Sequence, residues 1–183
     1  LIDNDLKEVC PVGYDILKPV ADDLFLVRKS RKMGIIKSDN TPVIPFMYDS
    51  LHADDNALRV FRKIEGWSLI DRDNKPLTQK NYDWIGAQNK NLFPVINNHH
   101  WGAVSTAGEE IIHCVFDSLV EISNDLIVVK FKNLYGIINF REDWLVAPQS
   151  QPIHLINSQL YSQKQSANIF LKNFKNRGFR NNC

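Results

Sequence analysis

Apolar positions in this chain return every thirty-four residues. The runs "LFLVRK", "LRVFRK", "LFPVIN" and "LIVVKF" open at Leu24, Leu58, Leu92 and Leu126. Each is rich in β-branched and aromatic residues and alternates with a period near two, the signature of a strand. A second series is Met33, Trp67, Trp101 and Tyr135, followed in register by Gly34, Ser68, Gly102 and Gly136 and then by two apolar residues. A third reads Tyr14-Asp15, Tyr48-Asp49, Tyr82-Asp83 and Phe116-Asp117. The register holds without an insertion for more than one hundred residues. Self-similarity at a fixed period of this size marks a repeat array.

The period alone does not choose the class, because helical tetratricopeptide repeats share it. Turn chemistry does choose. "SDNTP" and "DRDNKP" separate the apolar runs, and Pro42, Pro45 and Pro76 sit where a helical repeat needs an unbroken hydrogen-bond ladder. The expectation is an all-β fold, a tandem 34-residue β-repeat array of propeller-like or β-solenoid type. Parity then bears on strand number. Three hairpin-connected strands per unit would reverse alternate units, whereas four keep one orientation, provided the Pro-containing stretch "VIPFMYDSL" breaks into two strands.

The unit Trp/Tyr-Gly-Ile-Ile-Asp/Asn, then a Pro, then Tyr-Asp and an alternating strand, resembles the WG-repeat (KWG) family, found mainly in bacteria. The resemblance covers residues 1–153, in four units and part of a fifth. Met33 departs from it by replacing the aromatic and Ser68 by replacing the Gly, while the fifth unit has Ser150-Gln151 in place of Tyr-Asp. It implies a β-repeat scaffold, often joined to other domains, and brings no catalytic residues. Trp67, Trp101 and Tyr135 are expected to pack between units. Gly34, Gly102 and Gly136 are expected to relieve crowding or to adopt positive φ. Leu1-Ile2-Asp3 aligns with Leu69-Ile70-Asp71, so the sequence opens inside a unit; either earlier repeats precede it or another strand completes that edge.

Composition adds bounds. Apolar residues make up 44% and charged residues 23%, a globular balance. No apolar run is long enough to span a membrane. The three cysteines, Cys10, Cys114 and Cys183, lack metal-ligand spacing; the first two read as small core residues and the third as a terminal thiol without an assigned role. Basic residues gather before each aromatic: Arg28, Lys29, Arg31 and Lys32, then Arg62 and Lys63, then His99-His100, then Lys130 and Lys132. Acidic loops carry Asp22-Asp23, Asp54-Asp55 and Asp125. Parallel units would make one rim basic and another acidic, a field able to steer a charged partner; the same residues also read as solvated turn positions that keep sheet edges from pairing. Neither His99-His100 nor Glu109-Glu110 has neighbours that complete a metal or catalytic set, and no nucleophile-elbow, metallohydrolase or phosphate-loop motif occurs. No enzyme, cofactor or metal is expected.

The last forty residues differ. All 21 acidic residues and all but five of the 22 basic ones lie before Trp144. Residues 154–183 form a basic tail, in which Ala167, Phe170, Leu171 and Phe174 follow helical spacing between Ser166 and Gly178; an amphipathic helix is expected near 166–177. The resulting expectation is a non-enzymatic interaction scaffold. It would bind a protein partner, or the rest of a longer chain or complex, through repeat loops and a helix presenting Phe170 and Phe174. Two other roles fit the composition. Lys172, Lys175, Arg177 and Arg180 suit nucleic-acid phosphates, and exposed Trp84 or Trp144 would suit a glycan or the cell envelope.

Overall fold

The computed structural model describes residues 13–123, 126–156 and 159–162. The helix expected near 166–177, and with it Phe170, Phe174, Lys172, Lys175, Arg177 and Arg180, lies outside these, as do Leu1-Ile2-Asp3, Cys10, Cys183 and Asp125.

The described residues form strands and turns, with no helix. The first sheet is an antiparallel meander of β1 (Ile16–Ala21), β2 (Leu24–Lys29), β3 (Lys32–Lys37) and β4 (Pro42–Tyr48). The second joins β5 (Ser50–Ala53), β6 (Leu58–Arg62) and β7 (Gly66–Ile70). The third joins β8 (Trp84–Ile85), β9 (Leu92–Asn97), β10 (His100–Ser105) and β11 (Glu110–Phe116). The fourth joins β12 (Ser118–Ser123), β13 (Leu126–Phe131), β14 (Leu134–Ile138) and β15 (Trp144–Gln149). A two-stranded sheet follows, β16 (Ile153–Ile156) with β17 (Gln159–Ser162), carrying sheet structure past residue 153. Corresponding strands open at residues 16, 50, 84 and 118, or at 24, 58, 92 and 126, so one period governs sequence and backbone alike.

The chain divides into two compact units between Val115 and Phe116. Within the first, sheets pack face to face. Leu26, Ile35, Ile44 and Tyr48 of the first sheet share a core with Leu51, Leu58, Val60 and Ile70 of the second. Leu69 of that second sheet and Ala57 of its β5–β6 loop pack instead with Ile85, Phe93, Val95 and Val104 of the third. Adjacent residues on a strand face opposite ways, so Leu69 and Ile70 serve different cores. The same division separates Ile35 from Ile36, which joins Val27 on the other face of the first sheet. This explains the apolar doublet after the Gly: the third strand of each sheet is buried on both faces. In the second unit, Val128 and Ile137 pack with Ile153 of β16.

The Gly answers a close approach rather than a turn. Fourth strands β4 and β15 slip register opposite Gly34 and Gly136. A Cβ on Gly34 would lie 2.5 Å from the Ile44 carbonyl oxygen, and one on Gly102 would lie 2.5 Å from that of Ile112. None of these three Gly residues has positive φ. In the second sheet Ser68 occupies the Gly position, and no fourth strand forms there. Residues 76–82 touch β7 through isolated bridges at Ile70–Pro76 and Trp67–Tyr82. Between these, Thr78 Oγ1 accepts the Leu69 N–H at 3.3 Å. The expected four strands per unit therefore hold in the first, third and fourth sheets and are corrected to three in the second. The break in "VIPFMYDSL" falls at Asp49, not at a proline, and its halves belong to successive sheets.

Gly102→Ala is expected to destabilise by about 1–3 kcal/mol, the usual cost of forcing extra volume against backbone. Ser68→Ala, where no strand approaches, should change stability by less than about 0.5 kcal/mol. Urea unfolding of both variants checks the contrast.

Candidate interaction site

The Tyr/Phe-Asp pair builds the corner between successive strands. Tyr48, Tyr82 and Phe116 are buried at the end of a fourth-strand segment. The Asp that follows donates its backbone N–H to the second strand of the next sheet: Asp15 to Arg28, Asp49 to Phe61, Asp83 to Ile96 and Asp117 to Lys130, at 2.8–2.9 Å. Its carboxylate then accepts a backbone N–H from the following hairpin turn, from Lys63 for Asp49 (2.8 Å), Asn98 for Asp83 (2.7 Å) and Asn133 for Asp117 (2.7 Å). The support matters most at Asn98 and Asn133, which lie in turns of left-handed backbone. Ser30-Arg31, Asn98-His99 and Lys132-Asn133 all have positive φ, the left-handed conformation of tight hairpin turns.

The basic residues are largely occupied. Lys32 donates to Asp49 at 2.6 Å, and Arg62 donates to Glu65 at 2.7 Å while covering the Tyr48 ring at 5.0 Å. The Lys32 ammonium and then the Lys63 N–H hold the Asp49 carboxyl below the ordinary carboxylate range. Arg28 Nε approaches Asp15 at 3.6 Å, and Lys29 lies 6.0 Å from the centre of the Tyr14 ring. Arg31 occupies the positive-φ turn, with φ 66°. These neighbours turn much of the expected basic rim into local ion pairs and ring contacts.

Asp54 and Asp23 of the acidic loops are similarly engaged. Asp54 and Arg59 pair at 2.7 Å with only 11% and 14% of their side chains exposed. Asp54 also accepts the Gln88 N–H, and Arg59 donates to the Ile85 carbonyl. This pair thus ties the second sheet to the beginning of the third. Asp23 accepts from Ser38.

The aromatic series has mixed surroundings. Trp67 stacks on His52 and contacts Phe61 at 5.2 Å. Trp101 meets Trp84 edge-on at 5.5 Å, and Tyr135 packs beside Val128 and Ile137. Trp84 and Trp144 remain 38% and 41% exposed, Trp144 lying against Phe116 and Phe131. Among the described residues no group of three or more His, Cys, Asp or Glu could hold a metal, and no helix is long and apolar enough to cross a membrane.

Two features escaped the repeat pattern. Ile64, at the β6–β7 turn, is 99% exposed; Met47 of β4 is 38% exposed and its sulfur accepts from Arg62 Nη2 at 3.6 Å. The equivalent turn positions are Ser30, Asn98 and Lys132, so the signal was a single apolar departure inside a polar series. The second feature is a pocket of about 430 Å³ between the displaced segment after β7 and the β10–β11 turn, lined by Leu77, Lys80, Tyr82, Ala107, Gly108 and Glu110 among others. Lys80 bridges to both Glu110 oxygens at 2.9 and 3.1 Å. Burial works to raise the Glu110 carboxyl, but the Lys80 hydrogen bond and charge outweigh it and hold the group low. Cys114 is pushed up to about 11, by burial first and then by the Glu110 charge.

Four-strand antiparallel modules recurring at one period define an all-β repeat protein. More narrowly, the model of the WG containing repeat matches residues 67–98 and 101–135, two adjacent units; the chain carries WG repeats. No curated protein matches it. Among solved structures, it is similar to the computationally designed Ika8 protein at 10% identity and a TM-score of 0.43, covering 81% of this chain and 54% of that one. It is also similar to KlHsv2 with loop 6CD replaced by a Gly-Ser linker, at 12% identity and a TM-score of 0.42, covering 78% and 54%. The chain thus spans about half the length of the solved structures it matches.

Asp54→Ala should cost about 3 kcal/mol by leaving Arg59 without its counter-charge. Exposed Asp55→Ala should stay within about 0.5 kcal/mol, as denaturant melts of the two will show. Cys114 in the folded protein should react with iodoacetamide at pH 8 on the order of 100-fold more slowly than in the unfolded chain, because its thiolate is scarce. Peptide mapping separates it from the other two thiols.

Proposed function

We propose that this protein is a non-enzymatic interaction scaffold that binds a protein partner through the turns of its β-repeats. The observation that carries this reading is Ile64, 99% exposed where the sibling turns have Ser, Asn and Lys. Removing an apolar side chain from water is favourable in association, and its rim of Arg62, Lys63 and Glu65 gives the polar surround usual at protein interfaces. The repeat signature supports the same reading by a different route. Its Tyr, Asp, Gly and most basic residues are engaged in corners, turns and close packing, so the positions that vary between units are the ones left to distinguish partners. The basic tail would add to this surface.

Ile64→Asp, at a fully exposed position, should leave the melting temperature unchanged. It should lower capture of at least one specific protein at least tenfold against wild type in a quantitative pull-down. An identical set captured by both forms contradicts the role of this turn. Salt-sensitive oligonucleotide binding that disappears on truncation after residue 157 would transfer the function to the basic tail.

A further inference from the structure

In the first two corners the tyrosine, half-buried at Tyr14 and buried at Tyr48, has a partner for its hydroxyl. Tyr14 donates to Asn40 Oδ1, and Tyr48 donates to Asn74 Oδ1, the latter at 2.6 Å. Both asparagines are the positive-φ residue in the turn between the third strand and the fourth-strand segment, with φ of 69° and 65°. The third tyrosine, Tyr82, stands one period on, and its turn residue is Gly108 with φ of 85°. Gly108 has no side chain to offer and cannot gain one: a Cβ there would lie 2.2 Å from the Leu77 carbonyl oxygen. Tyr82 is 3% exposed, and its hydroxyl makes no hydrogen bond among the described residues. Its oxygen is not fully enclosed, so the hydroxyl is free to donate to a group that enters beside it.

What lies beside it is the pocket of about 430 Å³, which both Tyr82 and Gly108 line. We propose that this pocket binds a carboxamide, the side chain of an asparagine or glutamine presented by a peptide, whose carbonyl oxygen takes the Tyr82 hydrogen bond that Asn40 and Asn74 take in the sibling repeats. The ligand supplies the group that Gly108 lacks.

The lining fits a neutral amide rather than an acid. Lys80 is already held by Glu110, and Glu109 adds a second carboxylate, so the charge around the pocket is net negative and repels a carboxylate ligand. The same carboxylates can accept the amide N–H groups. Burial, and then the Glu110 charge, push the Tyr82 hydroxyl well above its ordinary ionisation range, so it remains a donor. Leu77 and Ala107 supply apolar wall for the methylene carbons. This site is separate from the Ile64 turn, and either can fail without the other.

The test is a titration of the full chain with N-acetyl-asparagine methylamide, followed by backbone amide NMR, with the alanine and aspartate analogues as controls. The asparagine compound should shift the Tyr82, Gly108 and Glu110 amides saturably in the millimolar range, and the controls should not. Tyr82→Phe keeps the ring and should weaken binding about fivefold or more, the worth of one hydrogen bond. If that variant lowers the folded fraction, Ala107→Phe at the exposed rim should fill the pocket and block binding while leaving the hydroxyl in place. Unshifted amides at tens of millimolar, equal shifts with the alanine or aspartate compound, or unchanged affinity in Tyr82→Phe or in Ala107→Phe would each overturn the proposal.

Discussion

The corner made by an aromatic and an aspartate is the constraint on which the other repeat features depend. At Tyr48-Asp49 the chain must leave one sheet and enter the next. The buried ring fixes the end of the outgoing strand, the Asp N–H fixes the incoming sheet, and the carboxylate fixes the hairpin turn two strands later. One dipeptide thus sets the spacing of three elements. Because the next corner imposes the same geometry, strand starts recur at one period. Third strands such as β7 then lie between two sheets, which is why Leu69 and Ile70 are both apolar and face different cores.

The departures from the pattern are physically connected. Fourth strands approach so closely that only Gly fits opposite them, as the Ile44 and Ile112 carbonyls show. Where Ser68 stands instead, the ladder is replaced by two bridges and a Thr78 hydroxyl contact. The Leu77 backbone then presses against Gly108, and a pocket opens beside Tyr82. Loss of one Gly and presence of another therefore belong to a single local rearrangement. The repeat that is least regular is also the one with room for a ligand.

Much of this was legible in the sequence. The thirty-four-residue register placed the second strands at Leu24, Leu58, Leu92 and Leu126, where the backbone has them. The class followed from period-two alternation and turn residues, which are local signals. Partners distant in sequence were not legible. Nothing in "RKSRK" reveals that Lys32 reaches Asp49, so the charged rim was read as a field when much of it is paired. Nor does "YDS" announce which residue ends a strand; Asp49 does so because its amide is drawn to Phe61. Ser68 was visible as a departure, but its consequence for the fourth strand needed the close approach of Ile44 and Ile112 as a reference. The pocket depends on what Gly108 lacks, and an absent side chain leaves no motif.

Amide hydrogen exchange on Asp83→Ala tests the account of the corner most directly. Asn98, whose N–H is held by the Asp83 carboxylate at 2.7 Å, should lose its protection, and Val95 and Val104 in the adjoining strands should open more readily with it. Protection at Asn98 that survives the substitution, or a change confined to that one amide, would contradict the claim that the aspartate corner holds the repeats in register.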